Sequence, residues 1–358
     1  MYKIGCDQHK HYCLMHTLNQ NGEFVNQEKI YHDDPQSMKN YLSQIPKESH
    51  MVIEACGFDA WLCDLVESYD IHIHLAHPLK TKAIAEARIK TASLDAKTLA
   101  QLLQADLLAE AYYAPAELRE KRYLFRYRQC LVRYQTSIKL RIHDLIDRQG
   151  IRSPELTDLF GSQGRLWLES LSLAPIYQKS LTGYLSLIDH LKELILTSER
   201  HISSILKEDP LASLLQSIPG IGKISAYALL YEIGPIDRFP TPEKLCSYAG
   251  LVPSVHQSGQ RYYHGSITKQ GNKFIRWILV EAAHRIIRKD PVLKSFYNRI
   301  RIKKGSQKAI VAVARKLLTY VFQILTKKEP YRYQPILPKK PARALPLGRR
   351  LFDWDLWL

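Results

Sequence analysis

The order in which apolar runs succeed one another over the first hundred residues limits the fold more than any other feature. "YKIGCD", "HYCLMHTLN" and "GEFVNQEKIYH" are three short strand-like runs, and Asn21-Gly22 supplies a hairpin-type turn between the last two. "DDPQSMKNYLSQI" carries a cap-like Asp34, Pro35 in the first turn and apolar spacing suited to a helix. The buried-strand pattern "HMVIEA", a second helix "DAWLCDLVESY" and a further strand "IHIHLA" follow, and helices come after them. The order is β-β-β-α-β-α-β, an α/β arrangement.

That order is the one found in the ribonuclease H fold, where strands one and four are neighbours. Asp7 ends the first strand and Glu54 the fourth, so the fold would set them side by side. Asp95, in the helix "ARIKTASLDAKTLAQLL", would complete a carboxylate cluster. Such clusters hold hard divalent cations, here Mg2+ or Mn2+. Two such ions can activate a nucleophile and stabilise the leaving oxygen of a phosphodiester. Taken singly, an acid at a strand end is an ordinary solvated turn residue; the strand order is what joins these three.

From about residue 117 the character changes. "ELREKRYLFRYRQCLVRYQTSIKLRIHDLIDRQ" has no Gly or Pro, and cations stud it, among them Arg126 and Arg133. Such a rod is a spacer or a partner-binding arm. After a break around Gly161 and Gly164, a second helical segment spaces Leu181, Leu185, Ile188 and Ile195 at helical intervals. A helical hairpin or an intermolecular coiled coil would bury that stripe, and the second choice implies a dimer or tetramer. The whole chain carries 51 Lys and Arg against 35 Asp and Glu, a net charge of +16. Clustered cations gain affinity by releasing counterions from phosphates, so nucleic acid is the expected partner.

A membrane surface is the rival partner, but no uninterrupted apolar run of about 18 residues and no signal peptide is visible, which points to a cytoplasmic protein. The six cysteines form no C-x-x-C pair, which argues against a zinc knuckle or a disulfide framework. His72 and His74 share a strand face near His77 and read as a partly buried strand rather than a metal site.

The C-terminal third holds two further constellations. "IPGIGK" followed by an apolar helix reads as the turn of a helix-hairpin-helix motif, in which Gly220 and Gly222 let backbone N–H groups approach a phosphate and Lys223 stands beside them. Its bland alternative is a tight interhelix turn. Ser258-Gly259 sits in a short loop followed by Arg261, and Lys269, Asn272 and Arg276 surround the start of the next helix. A serine among cations is a candidate nucleophile toward phosphate. By spacing alone the duller reading, a Ser-Gly turn in a DNA-contacting loop, is the stronger. The chain closes on a basic, proline-rich segment with an aromatic finish, Phe352, Trp354 and Trp357.

These segments together resemble a known family. "IGCDQHK", "VIEACG", "IKTASLDAKTLAQLL" and the run from "IPGIGK" through "SGQRYYHGSITKQGN" to "VEAAH" are similar to the insertion sequence 110 family of transposases over residues 1 to 325. The resemblance implies a site-specific DNA recombinase in four parts: a RuvC-like metal-binding domain (1–110), a helical coiled-coil region (111–208), a serine-bearing transposase domain (209–328) and a basic tail (329–358). It further implies a structured bridge RNA that pairs with target and donor DNA. Carried over by position, the metal-binding acids are Asp7, Glu54 and Asp95, and the nucleophile is Ser258, which would form a transient phosphoserine link, the metal site of one subunit being completed by the serine of another. One departure stands out. The family writes the helix motif K-T-D-x-x-D-A, and position 92 here is Ala. Two other classes therefore stay open: a catalytically impaired RNA and DNA scaffold, and a metal-dependent junction nuclease with no covalent step.

Overall fold

The strand-like runs of the first hundred residues form a single sheet in the computed structural model, which describes residues 1–57, 59–84, 92–258 and 261–332. The strands are β1 (Lys3–Gln8), β2 (Tyr12–Leu18), β3 (Phe24–Tyr31), β4 (His50–Glu54), β5 (His72–Ala76) and the two-residue β6 (Glu110–Ala111), and the sheet order is β3-β2-β1-β4-β5-β6. β1 pairs antiparallel with β2 and parallel with β4, and β4 pairs parallel with β5. The expected neighbourhood of strands one and four is thus present. β6 is an addition; two residues are too few for any sequence period to register.

Alternation along the strands divides the sheet into two faces. Ile4, Cys6, Met51 and Ile53 pack under α1 (Pro35–Gln44) and α2 (Ala60–Glu67). Asp34 caps α1 by accepting from the Ser37 backbone N–H, and Pro35 occupies the first turn, as its sequence signature predicts. Past the short α3 (Pro78–Ile84), α4 (Ala92–Gln104) covers the other face, where Val52 and Ala76 meet Leu99 and Leu103. Gly5 lies under α4, and a Cβ there would fall 1.9 Å from the Ala96 carbonyl oxygen. Only a residue without a side chain lets the helix come this close.

These elements make up one of two compact units, Met1–Ala116; the other is Glu117–Leu358. In the second, α5 (Ala116–Arg148) and α7 (Pro175–Glu208) run antiparallel, joined through α6 (Ser162–Ser170). Ile142 and Ile146 near the end of α5 pack with Leu181, Leu185 and Ile188 near the start of α7. At the opposite end Arg128 pairs with Glu199 at 2.5 Å. Of the two ways to bury the Leu181–Ile195 stripe, the intramolecular hairpin is the one adopted, with all four positions buried. The stripe therefore supplies no reason for a dimer.

Phe125 of α5 and Ile202 and Leu206 of α7 belong to the same core as the helices that follow, so packing continues across the boundary expected near residue 208. Those helices are α8 (Pro210–Gln216), α9 (Lys223–Ile233), α10 (Pro242–Tyr248), α11 (Lys273–Ile286), α12 (Pro291–Lys304) and α13 (Ser306–Lys327). An antiparallel hairpin of β7 (Pro253–Ser258) and β8 (Arg261–Ile267) interrupts them, in a region the sequence reads as loop.

Helix α13 is long and apolar enough by composition to cross a membrane, although it holds no unbroken apolar run of the length sought in the sequence. Arg315 and Lys316 interrupt its apolar run and hide it from a scan for unbroken hydrophobicity. Its buried residues, among them Val313, Leu317, Leu318 and Val321, lie in the core shared with α9 and α11. Full burial of each such Leu or Val contributes about 1.5–3 kcal/mol.

Candidate functional site

The carboxylates of the first unit are brought together by register. The last paired residues of β1 and β4 are Cys6 and Ile53, so Asp7 and Glu54 stand one step beyond them at the same end of adjacent parallel strands. Gly5 faces α4, and Val52 packs on it; two residues on, Asp7 and Glu54 face the same way. Asp95 lies in the first turn of α4, one residue before the Ala96 that crosses Gly5. The positive end of the helix dipole favours a negative charge at that place. Ala92 begins the same helix.

Two of the three acids lie close enough to influence each other. Burial pushes the Asp7 carboxyl above the usual carboxylate range, the His9 imidazole pulls it back, and the negative charge of Asp95 raises it again. The His9 ring meets the Asp7 carboxylate at 3.0 Å. His9 went unnoticed in the sequence, although it stands two places beyond Asp7 in the quoted motif; a tight turn, closed by the His9 N–H donating to the Tyr12 carbonyl, brings it back. Glu54 is exposed. Among the described residues, no group of three His, Cys, Asp or Glu side chains is already arranged around a metal position. His50, His72 and His74 are committed to hydrogen bonds with one another and with Glu48 and Glu110, as a strand-face reading expects.

In the second unit, Ser258 is the last residue of β7 and pairs across the hairpin with Arg261, the first of β8. The expected loop serine is therefore a strand-end serine at the tip of a two-residue connection, and Gly259 lies outside the described residues. "IPGIGK" forms the turn between α8 and α9. Gly220 takes the left-handed φ of 99°, which favours glycine, and packs against Ala282 and Arg285 of α11. Gly222 caps α9, is exposed and has open space where a Cβ would be, and exposed Lys223 follows it.

Three residues expected to touch nucleic acid have partners within the unit. Arg126 forms a two-pronged pair with Glu232, both contacts at 2.8 Å. Asn272 donates to the same carboxylate at 2.6 Å and caps α11 by accepting from the N–H groups of Phe274 and Ile275. Arg276 donates to the Ala249 carbonyl at 2.8 Å. Glu232, fully buried, is the hub that the sequence did not reveal, because its partners lie 106 and 40 positions away. Arg133 is exposed with its guanidinium near the Phe274 ring, and Lys269 is exposed.

Comparison with known proteins matches two stretches of the chain, the first of which runs from the first unit into α5. A family model described as Transposase, of the DEDD type for IS110, matches residues 4–150, and one described as Transposase IS116/IS110/IS902 family matches residues 212–298. The chain is 25% identical over 304 residues to the transposase for insertion sequence element IS1111A of Coxiella burnetii, covering 82% of each. It is 22% identical over 343 residues to a probable family 20 transposase of Pseudomonas aeruginosa, covering 92% of this chain and 98% of the relative. A pilin gene-inverting protein of Moraxella bovis is 34% identical over 163 residues, 44% of this chain and 50% of the relative. With both of its units matched by models of one group, the chain belongs to the IS110 family of transposases.

Proposed function

We propose that the protein cuts and rejoins DNA as the transposase of an insertion sequence, with Ser258 as nucleophile, Asp7, Glu54 and Asp95 as the carboxylate set, and a structured bridge RNA as guide to target and donor DNA. The observation that carries this reading is the meeting of Asp7 and Asp95, where the charge of one raises the carboxyl of the other. Acids crowded in this way mark functional rather than structural positions. Their oxygens are hard donors that suit Mg2+ or Mn2+, and a cation would relieve the repulsion. When bound, such an ion supplies positive charge beside a scissile phosphate. Asp7, Glu54 and Asp95 would hold it, and His9 would orient the Asp7 carboxylate.

The serine step conserves bond energy. An Oγ–P bond forms as the bond from phosphorus to the leaving sugar oxygen breaks, and the hydroxyl proton passes to that oxygen. The product is still a phosphate diester, so a second sugar hydroxyl can reverse the exchange without an energy source. Exposed Gly222 and Lys223, at the N-terminus of α9, suit a DNA phosphate, and Arg261 and Lys269 supply cations on either side of β8. Oligomerisation as a dimer to tetramer belongs to this reading through the family alone.

Incubating the protein with RNA transcribed from the flanks of its gene, donor and target DNA, and Mg2+ is expected to give recombinant joints and a covalent protein–DNA adduct. Ser258→Ala is expected to give neither, and adduct at the original level in that variant would overturn the role of Ser258. Cleavage that survives without adduct would favour the junction-nuclease reading. Ala92→Asp separates an impaired scaffold from an enzyme content with three carboxylates: a large gain supports the first, little change the second.

A further inference from the structure

One groove in the second unit combines aliphatic side chains with a concentration of cations. Its volume is about 400 Å³, and it is lined by segments of α12 and α13, β8 and the residues just before and at the start of β7. Its aliphatic lining includes Ile267, Ile300 and Val311, and among the described lining residues six are Lys or Arg and none is Asp or Glu. Lys303, Lys304 and Lys308 are exposed. A phosphate backbone alone would need the cations and not the aliphatic lining. A base stacked in it would find no aromatic side chain among the described lining residues, and stacking is the usual source of such affinity. The lining asks for a ligand that brings its own aromatic rings together with negative charge.

The chain carries such a segment. Leu351–Leu358, "LFDWDLWL", holds Phe352, Trp354 and Trp357 with Asp353 and Asp355, and has neither Lys nor Arg in a chain of net charge +16. Its reach is sufficient. The described chain ends past α13, where the Tyr331 N–H donates to the Ser217 hydroxyl at 2.7 Å and the Tyr331 ring packs on Tyr320. From the groove residues of α13 to the end of that helix is about 30 Å. The 18 residues between Arg332 and Leu351 span roughly 55 Å even as a proline-type helix.

We propose that Leu351–Leu358 docks in this groove of its own chain, its aromatic side chains against Ile267, Ile300 and Val311 and its two aspartates toward the lysines of α12 and α13. Docked there, the segment shields part of the cationic surface and competes with any polyanion for it.

The test uses the full chain with a benzophenone amino acid in place of Trp354, irradiated without nucleic acid. Cross-links are expected on residues 299–312 of the same chain, with a yield that does not change on about tenfold dilution, because the contact is intramolecular. Lys303→Asp with Lys308→Asp should lower that yield at least about fivefold through like-charge repulsion. Adding Asp353→Lys and Asp355→Lys to that variant should restore it. Both lysines are exposed, and an unchanged melting temperature checks that the variant folds. Cross-links elsewhere, a yield indifferent to charge reversal, or failure of the reciprocal swap would overturn the proposal. So would a thiothymidine oligonucleotide that cross-links to residues 299–312 while the tail does not, since the groove would then be a nucleic-acid site. None of these readouts depends on Ser258 or on strand transfer.

Discussion

Asp7 and Glu232 are both acids drawn out of solvent, one in each unit, and the protein treats them in opposite ways. Glu232 is completely buried and fully answered: Arg126 grips both of its oxygens and Asn272 adds a third contact. Asp7 is less deeply placed, yet its charged company includes Asp95, and among the described residues His9 is the group that offsets that repulsion. A satisfied buried acid fixes helices to one another; an under-compensated one holds a charge ready for something that arrives. The contrast separates scaffold from site more clearly than burial does.

Breaking the approach that crowds Asp7 should have the largest effect. Gly5→Val places side-chain atoms where the Ala96 carbonyl and the Ala100 N–H already are, and is expected to cost at least about 4 kcal/mol, read by chemical denaturation of the first unit. Emptying the satisfied site comes next. Glu232→Ala strands Arg126 and Asn272 and should cost about 3 kcal/mol in the second unit. If it cost nothing, the hub would be ornamental. Smaller again is Glu199→Ala, which removes the Arg128 pair that links α5 and α7, a partly exposed contact worth about 0.5–1 kcal/mol in thermal melts.

The smallest effect has the opposite sign. Asp7 holds its proton more tightly in the folded protein than in the unfolded chain, so its ionised form detracts from stability at neutral pH, and protonation relieves that cost as pH falls. Asp7→Asn should therefore raise the melting temperature slightly near pH 7 in the absence of divalent cations, with the gain fading as pH drops to the ordinary carboxylate range. A destabilised Asn variant at neutral pH would show that Asp7 is compensated after all.

The sheet was legible because period-two runs and turn residues coincide along residues 3–54, and the placement of Asp7 beside Glu54 follows from strand order alone. The β7–β8 hairpin was not. "HQSGQRYYHG" shows no apolar alternation, and its pairing registers only once the chain is folded. The internal partners of Arg126, Asn272 and Arg276 were hidden for a related reason: they lie far away in sequence, and a cation or amide in a basic sequence reads first as a ligand for phosphate. The stripe from Leu181 to Ile195 gave two solutions, and no local pattern distinguishes a helix from its own chain from one contributed by a copy.

Gly5 carries no charge and touches no substrate in any reading given above, yet it acts as the ruler of the first unit. The spacing between Asp7 and Asp95 is set by how near α4 can come to β1, and that limit is one missing methyl group. Grafting the three acids onto another α/β sheet whose first strand bears a side chain at this point would keep every reactive group and lose their mutual pressure. A search that ranks positions by chemical reactivity would pass over the residue on which the others depend.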